Sequence, residues 1–354
     1  MDAAAAATTS KGRARVRTEQ ESAVHDGEHT SAERPQPARA STEDDRGGEA
    51  VIVRSPTEER NSDTYDIDLL PTLDILRLIN VQDAVVPEAV GAVLPELAHA
   101  VELGVQALGK GAAIHYFGAG TSGRIASQDA AELPPTYGIP PEWVVAHHAG
   151  GGEALTHAVE GIEDDWEAGR ADAEGLAPGS LAVGLAASGR TPYVGGALEA
   201  ARERSAHTVL ISANTSAPLA ENVDVHVGMS TGAEVIAGST RMKAGTAQKL
   251  ALNAFSTAVM VRMGRTYSNL MVGVDATNGK LRGRVVTILT QATGLTEEQC
   301  SEALTTADGD TRVALVALLA EVDVDRAVQA LDRAHGRVRQ ALEGLSGPGR
   351  GALS

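Results

Sequence analysis

Between residues 112 and 228 the chain alternates short apolar runs with stretches whose apolar positions recur at helical spacing. Continuous runs at 112–117, 143–148, 181–186, 208–212 and 223–227 predict five buried strands, with helical segments between most of them. That alternation predicts an α/β fold, a doubly wound parallel sheet covered on both faces. Upstream, Pro71 followed by Leu73, Ile75, Leu76 and Leu78 predicts a helix with proline in its opening turn. Val90, Val93, Leu94, Leu97, Val101, Val105 and Leu108 mark one face of a longer helical stretch. Pro95 should kink or split it, and Gly109 and Gly111 should close it. A long helix is expected over about 240–263. Further on, Thr296-Glu-Glu-Gln299 is a capping-box pattern, and short helices are expected at about 297–306, 311–321 and 324–344. Residues 1–50 contain no Leu, Ile, Phe, Tyr or Trp, too little apolar surface to offset their ordering entropy. The expected organisation is a disordered tail at 1–54, N-terminal helices packing on the core at 55–111, a sheet domain at 112–272 and a small helical domain at 273–354. The last Gly/Pro-rich residues should fray.

Two loops change this from a fold into a site. Gly118-Ala-Gly-Thr-Ser-Gly-Arg124 follows the first predicted strand, and Ala187-Ser-Gly-Arg-Thr-Pro192 follows the third. A strand that hands a Gly/Ser/Thr loop to a helix N-terminus aims unpaired N–H groups and the positive dipole end at one spot. Gly120 and Gly189 let a ligand approach the backbone, and the hydroxyls of Thr121, Ser122, Ser188 and Thr191 can donate to phosphate oxygens. The first loop lacks the Lys-Ser/Thr ending of a P-loop. Its match to the dinucleotide glycine pattern is by itself weak. Either loop alone reads equally well as an ordinary tight turn. Together they point to a small phosphorylated ligand, a sugar phosphate above all.

Composition narrows the classes. The formal charge of −17 argues against a nucleic-acid groove or an anionic membrane surface, so any phosphate must be recognised locally. Cys300 is the only cysteine, which excludes an internal disulfide and a multi-cysteine metal site. No apolar run has transmembrane length, and the run 3–7 is too short for a signal core, so a soluble cytoplasmic protein is expected.

Several longer blocks, in order, carry a resemblance. The first loop is followed by Asp129-Ala-Ala-Glu-Leu-Pro-Pro-Thr-Tyr-Gly138 and by His157-Ala-Val-Glu-Gly-Ile-Glu-Asp164. Then come Ala186-Ala-Ser-Gly-Arg-Thr-Pro-Tyr193 and the long block from Gly232 to Lys249. The chain thereby resembles the N-acetylmuramic acid 6-phosphate etherases, built on a sugar isomerase (SIS) domain, from about Thr57 into the C-terminal helical region. One departure is Leu133, where several relatives carry cysteine. The resemblance implies that the sheet domain binds sugar phosphate and that the D-lactyl ether of N-acetylmuramic acid 6-phosphate is cleaved by elimination and hydration. The products are N-acetylglucosamine 6-phosphate and D-lactate, a step in cell-wall sugar recycling. No metal or other cofactor is implied, and a homodimer is, with active-site residues from the neighbour.

An ether leaves as a basic alkoxide, so it needs an activated carbon beside it. Ring opening exposes an aldehyde that acidifies the C2 hydrogen; a base takes that proton and an acid protonates the departing oxygen. The resemblance places the donor on Glu132 and the base on Glu163, while the residues themselves do not decide which carboxyl is which. Glu132 ends a small apolar stretch before Leu133-Pro134-Pro135, where partial burial would favour the protonated acid. Alternatively it is an exposed carboxylate ending a helix. Glu163 sits among Glu153, Glu160, Asp164 and Asp165, a pattern that otherwise reads as a solvated acidic face. Arg241 and Lys243 lie at a helix start, a poor place for cations, which favours a bound anion or a buried ion pair with Glu234. Arg124 and Arg190 are candidates for similar work, and His147, His148 and His157 are left unassigned. Two other readings remain: a non-catalytic sugar-phosphate sensor, for which paired carboxylates are unnecessary, and an aldose–ketose isomerase, which releases no lactate.

Overall fold

The computed structural model describes residues 55–157, 159–274 and 279–346; the expected tail and the fraying C-terminal end lie outside them. The opening helix is α1 (Thr72–Asp83), with Pro71 at its N-cap. Pro95 splits the next helical stretch into α2 (Val86–Gly91) and α3 (Leu94–Gly109), since a proline N–H deficit is tolerated only in a first turn.

The alternating region then runs β1 (Ile114–Gly118), α4 (Gly120–Tyr137), β2 (Val144–His148), α5 (Glu153–Thr156), α6 (Trp166–Asp172), β3 (Leu181–Leu185), α7 (Pro192–Glu203), β4 (His207–Ser212), β5 (Val225–Gly228) and α8 (Lys243–Arg262). All five predicted strands are present and pair in parallel in the order β2-β1-β3-β4-β5. Their side chains alternate between two cores. Ile114, Tyr116, Leu181, Val183, Val209 and Ile211 pack with α2, α3, α4 and α8 on one face. Phe117, Ala182 and Leu210 pack with α6 and α7 on the other. Downstream come a two-stranded ribbon, β6 (Thr266–Tyr267) with β7 (Leu270–Met271), and five helices: α9 (Gly279–Thr293), α10 (Glu297–Thr306), α11 (Thr311–Ala320), α12 (Val324–Arg333) and α13 (Val338–Ser346). These helices enclose a third apolar cluster around Leu289, Leu315 and Leu331.

Two expectations need correction. The single helix over 324–344 is two, because Gly336 takes a left-handed φ of 76° that turns the chain. Helix α4 does not end before Leu133 but continues through Pro134 and Pro135 to Tyr137. The prolines forfeit two backbone hydrogen bonds there. The loss is offset by burial of Leu133 and Tyr137.

Asp129 fixes α4 to both neighbours. Its buried carboxyl accepts from the Tyr116 hydroxyl on β1 at 3.1 Å and from the Ser256 hydroxyl on α8 at 3.0 Å. Burial outweighs those two bonds and pushes the group from 3.8 up to about 6. The folded state therefore holds its proton more tightly than the unfolded chain. Stability is greatest below pH 4 for this group and is lost as pH rises through 6, a penalty on the order of 2–3 kcal/mol at neutrality. Asp129→Asn should accordingly raise the melting temperature at pH 7–8, with the advantage shrinking towards pH 4. A difference from wild type that does not vary with pH would contradict this.

Candidate active site

The crevice lies where the winding reverses. Helix α4 leaves β1 towards one face of the sheet and α7 leaves the adjacent strand β3 towards the other, so both N-termini open at the carboxyl ends of neighbouring strands. Neither helix is capped by a side chain: Ala119 precedes α4, and Thr191, which precedes α7, uses its hydroxyl for no cap bond. Asp165, Thr296, Asp310 and Asp323 cap α6, α10, α11 and α12, whereas α1, α2, α3 and α5 share the lack of a side-chain cap. The N–H groups of Gly120, Thr121 and Ser122 have no partner within their helix. Gly120 has φ 54° and open space where a side chain would sit. The other glycines of this loop serve packing: a Cβ on Gly123 would lie 2.5 Å from both the Gly118 carbonyl oxygen and the His148 ring.

The second loop is held rigidly. Asn214 Nδ2 donates to the Ser188 carbonyl at 3.0 Å, Ala213 N–H to Ala187, and Leu219 N–H to Gly189, whose φ is 69°. Ser188 and Thr191 keep partly exposed side chains at this opening. Thr121 also reaches the first turn of α8, where it packs near Gly245. Ser122 is differently placed than expected: it is buried and its hydroxyl donates to Gln248 Oε1 at 2.8 Å, so its backbone N–H is what it offers to the crevice.

The third neighbouring helix start is closed. The fully buried Glu234 carboxylate accepts from the N–H groups of Lys243 and Ala244, both at 2.9 Å. Burial raises this carboxyl above its ordinary range, although the two backbone bonds and the Lys243 charge pull the other way. The expected ion pair through the Lys243 ammonium is replaced by this backbone cap, and Nζ instead donates to Gln82 Oε1 at 3.2 Å. A carboxylate at the dipole's positive end offsets the cost of a lysine there. Arg241 is exposed in the turn just before α8.

Of the two carboxylates, Glu163 belongs to this end of the sheet. It sits in a short 3-10 turn, Ile162–Asp164, that packs on α7, and Trp166 just beyond it lies against Gly195 and Gly196 in α7. Glu132 does not. It follows Gly120 along α4 by about 18 Å at roughly 1.5 Å per residue, and its side chain is exposed rather than partly buried. The histidines divide. The buried His148 ring lies against the first loop, its two nitrogens 3.2 Å from the Gly120 carbonyl oxygen and 2.8 Å from that of Ala149. His147 stacks on Phe117 and meets His115 at 3.1 Å; burial keeps both rings neutral, with His115 pushed down to about 4. His157 is exposed and pairs with Thr156. Asn214, Gln248 and His148 are positioning groups that residue spacing does not reveal, because their partners lie on other strands and helices.

Glu234→Ala leaves two buried N–H groups unpaired, so we expect a loss of about 2–4 kcal/mol, read by urea denaturation. A change confined to substrate binding, with stability intact, would mean that the carboxylate serves a ligand.

Residues 96–202 match the family model described as the glucokinase regulatory protein N-terminal SIS domain. The N-acetylmuramic acid 6-phosphate etherase of Thermobifida fusca is 72% identical over 268 residues, covering 76% of this chain and 88% of that protein. The protein of the same name from Actinobacillus succinogenes is 46% identical over 293 residues, covering 82% and 96%. Among solved structures, a phosphoheptose isomerase from Francisella tularensis superposes with a TM-score of 0.45 at 17% identity, over 54% of this chain and 100% of that one.

Proposed function

Since the chain belongs to the N-acetylmuramic acid 6-phosphate etherase family and is an enzyme of that type, we propose that it holds the substrate phosphate at the open N-termini of α4 and α7. The observation that carries this reading is the contrast among three neighbouring helix starts, two left uncapped and one filled by Glu234. Backbone N–H groups of Gly120, Thr121 and Ser122 would bind phosphate oxygens with the hydroxyls of Ser188 and Thr191, and Gly189 keeps the second loop close. Arg241, beside the α8 start, adds a cation within reach of the same ligand. Glu234 and Lys243 act from behind, as a cap and its counter-charge.

The open-chain sugar presents its aldehyde next to C2. Glu163 takes the C2 proton, the electron pair forms the C2–C3 double bond, and the C3–O bond to lactate breaks as Glu132 supplies a proton to that oxygen. Water then adds its oxygen to C3 and a proton returns to C2, giving N-acetylglucosamine 6-phosphate and D-lactate. Run in H2(18)O and deuterium oxide, the reaction should place 18O at C3 and deuterium at C2 of the sugar. Label found in lactate instead would exclude elimination, and failure of the folded protein to release lactate would exclude the substrate.

Glu132 serves the crevice of a second copy. Its distance along α4 from its own loop supports a donor supplied across a homodimer and desolvated there. Leu69, Leu73 and Leu76, each more than half exposed, support an apolar contact surface on α1 and the turn before it. Glu132→Gln and Glu163→Gln should each cut turnover to a small residual rate. Equal amounts of the two variants after subunit exchange should recover about one quarter of wild-type activity, because half of the dimers are then mixed and half of the sites in those are intact. No recovery in verified mixed dimers would place both carboxylates in one subunit.

Among the described residues no single helix is long and apolar enough to cross a membrane. We place the reaction in the cytoplasm as a step in cell-wall sugar recycling.

A further inference from the structure

The Arg124 guanidinium is not directed at the crevice. Its Nε donates to the Leu155 carbonyl at 2.9 Å, and one Nη donates to the carbonyls of Ala154 at 2.8 Å and His157 at 3.1 Å. These are the last carbonyls of α5 and its C-cap, groups that a helix end leaves without partners. A helix of four residues cannot sustain itself, and a cation at its C-terminal end is the charge that its dipole favours. Arginine's planar fork suits three acceptors in a way that a lysine point charge does not.

From α5 the contact passes to the reacting group. Ala154 is buried, and a side chain on Gly150 would touch both Ala154 and Ile162, so these two side chains close over the same glycine. Ile162 immediately precedes Glu163, and the turn that carries both packs on α7. The segment is thus tied at one end to the second turn of α4 and at the other to α7, the two helices whose N-termini open on the crevice. Gly150 and Gly151, just before α5, and Gly161, just before the turn that carries Glu163, all adopt positive φ, so the chain turns sharply on entering each of the two tied pieces.

We propose that Arg124 is a positioning residue for Glu163: it anchors the α5 segment through three carbonyls and so holds the carboxylate in place for proton abstraction. The inference rests on the assignment of Glu163 as the base. Arg124 then contributes to the proton-transfer step and not to phosphate affinity.

The test uses the full-length protein with N-acetylmuramic acid 6-phosphate. Arg124→Ala should lower kcat by about 10–100-fold while KM changes less than about threefold, the split expected when a group acts only through the reacting geometry. Arg124→Lys should fall between, and free guanidinium should restore part of the Arg124→Ala activity. Hydrogen exchange should quicken in residues 153–157 and 162–164 and stay unchanged in the sheet. Because the effect runs through Glu163, the double variant with Glu163→Gln should be no slower than Glu163→Gln alone. A rise in KM at preserved kcat would make Arg124 a phosphate ligand and overturn the proposal. So would a kcat loss without faster exchange, or additive losses in the double variant. Normal turnover by Glu163→Gln alone would instead overturn the base assignment, while the exchange data would still report on the tie to α5.

Discussion

The structure depends on two helix N-termini that the protein leaves without a cap of its own. Parallel strands β1 and β3 are neighbours, yet their helices depart to opposite faces. Only at such a reversal do two positive dipole ends converge without their helices colliding. Helices α6, α10, α11 and α12 begin with a capping aspartate or threonine. At α4 the chain places Ala119, and at α7 a threonine that makes no cap bond. An acidic protein that recognises phosphate has little long-range attraction to use. On the proposed reading, its affinity comes from N–H groups already aimed at the ligand, with their alignment fixed during folding and not on binding.

That alignment is maintained from behind by buried polar groups. Gln248 on α8 receives the Ser122 hydroxyl and donates to the Ile211 carbonyl of β4, joining the first loop to the sheet. Asp129 ties the middle of α4 to β1 and α8 at the expense of a carboxyl held partly protonated. Glu234 neutralises the start of α8, which would otherwise present a third positive end beside the other two. Each of these groups is buried and satisfied, which is what makes such a network rigid instead of a liability.

The sheet was legible in the sequence because a strand buried on both faces is a continuous apolar run, and all five runs became strands. Both loops were legible as strand-to-helix turns, because glycines and hydroxyls cluster where an apolar run gives way to helical spacing. The features that residue spacing missed have a common cause, contact between distant segments. Glu234 finds the α8 start across an irregular loop, Arg124 finds carbonyls some thirty positions away, and burial of Leu133 and Tyr137 carries α4 past two prolines. Helix α9 went unanticipated although Leu281, Val285 and Leu289 recur at helical spacing and face the third cluster, because Gly279, Gly283, Arg282 and Arg284 dilute that signal in its opening turns. Glu132 is recognisable only by its motif, since nothing in its own subunit surrounds it.

The most direct test of the open-terminus account is a backbone-amide NMR titration with N-acetylglucosamine 6-phosphate. The account predicts that the largest shifts fall on Gly120, Thr121 and Ser122 and on Ser188 to Thr191, with the amides of Lys243 and Ala244 little changed. Saturable binding that shifts the Lys243 and Ala244 amides and leaves the two loops unmoved would contradict it.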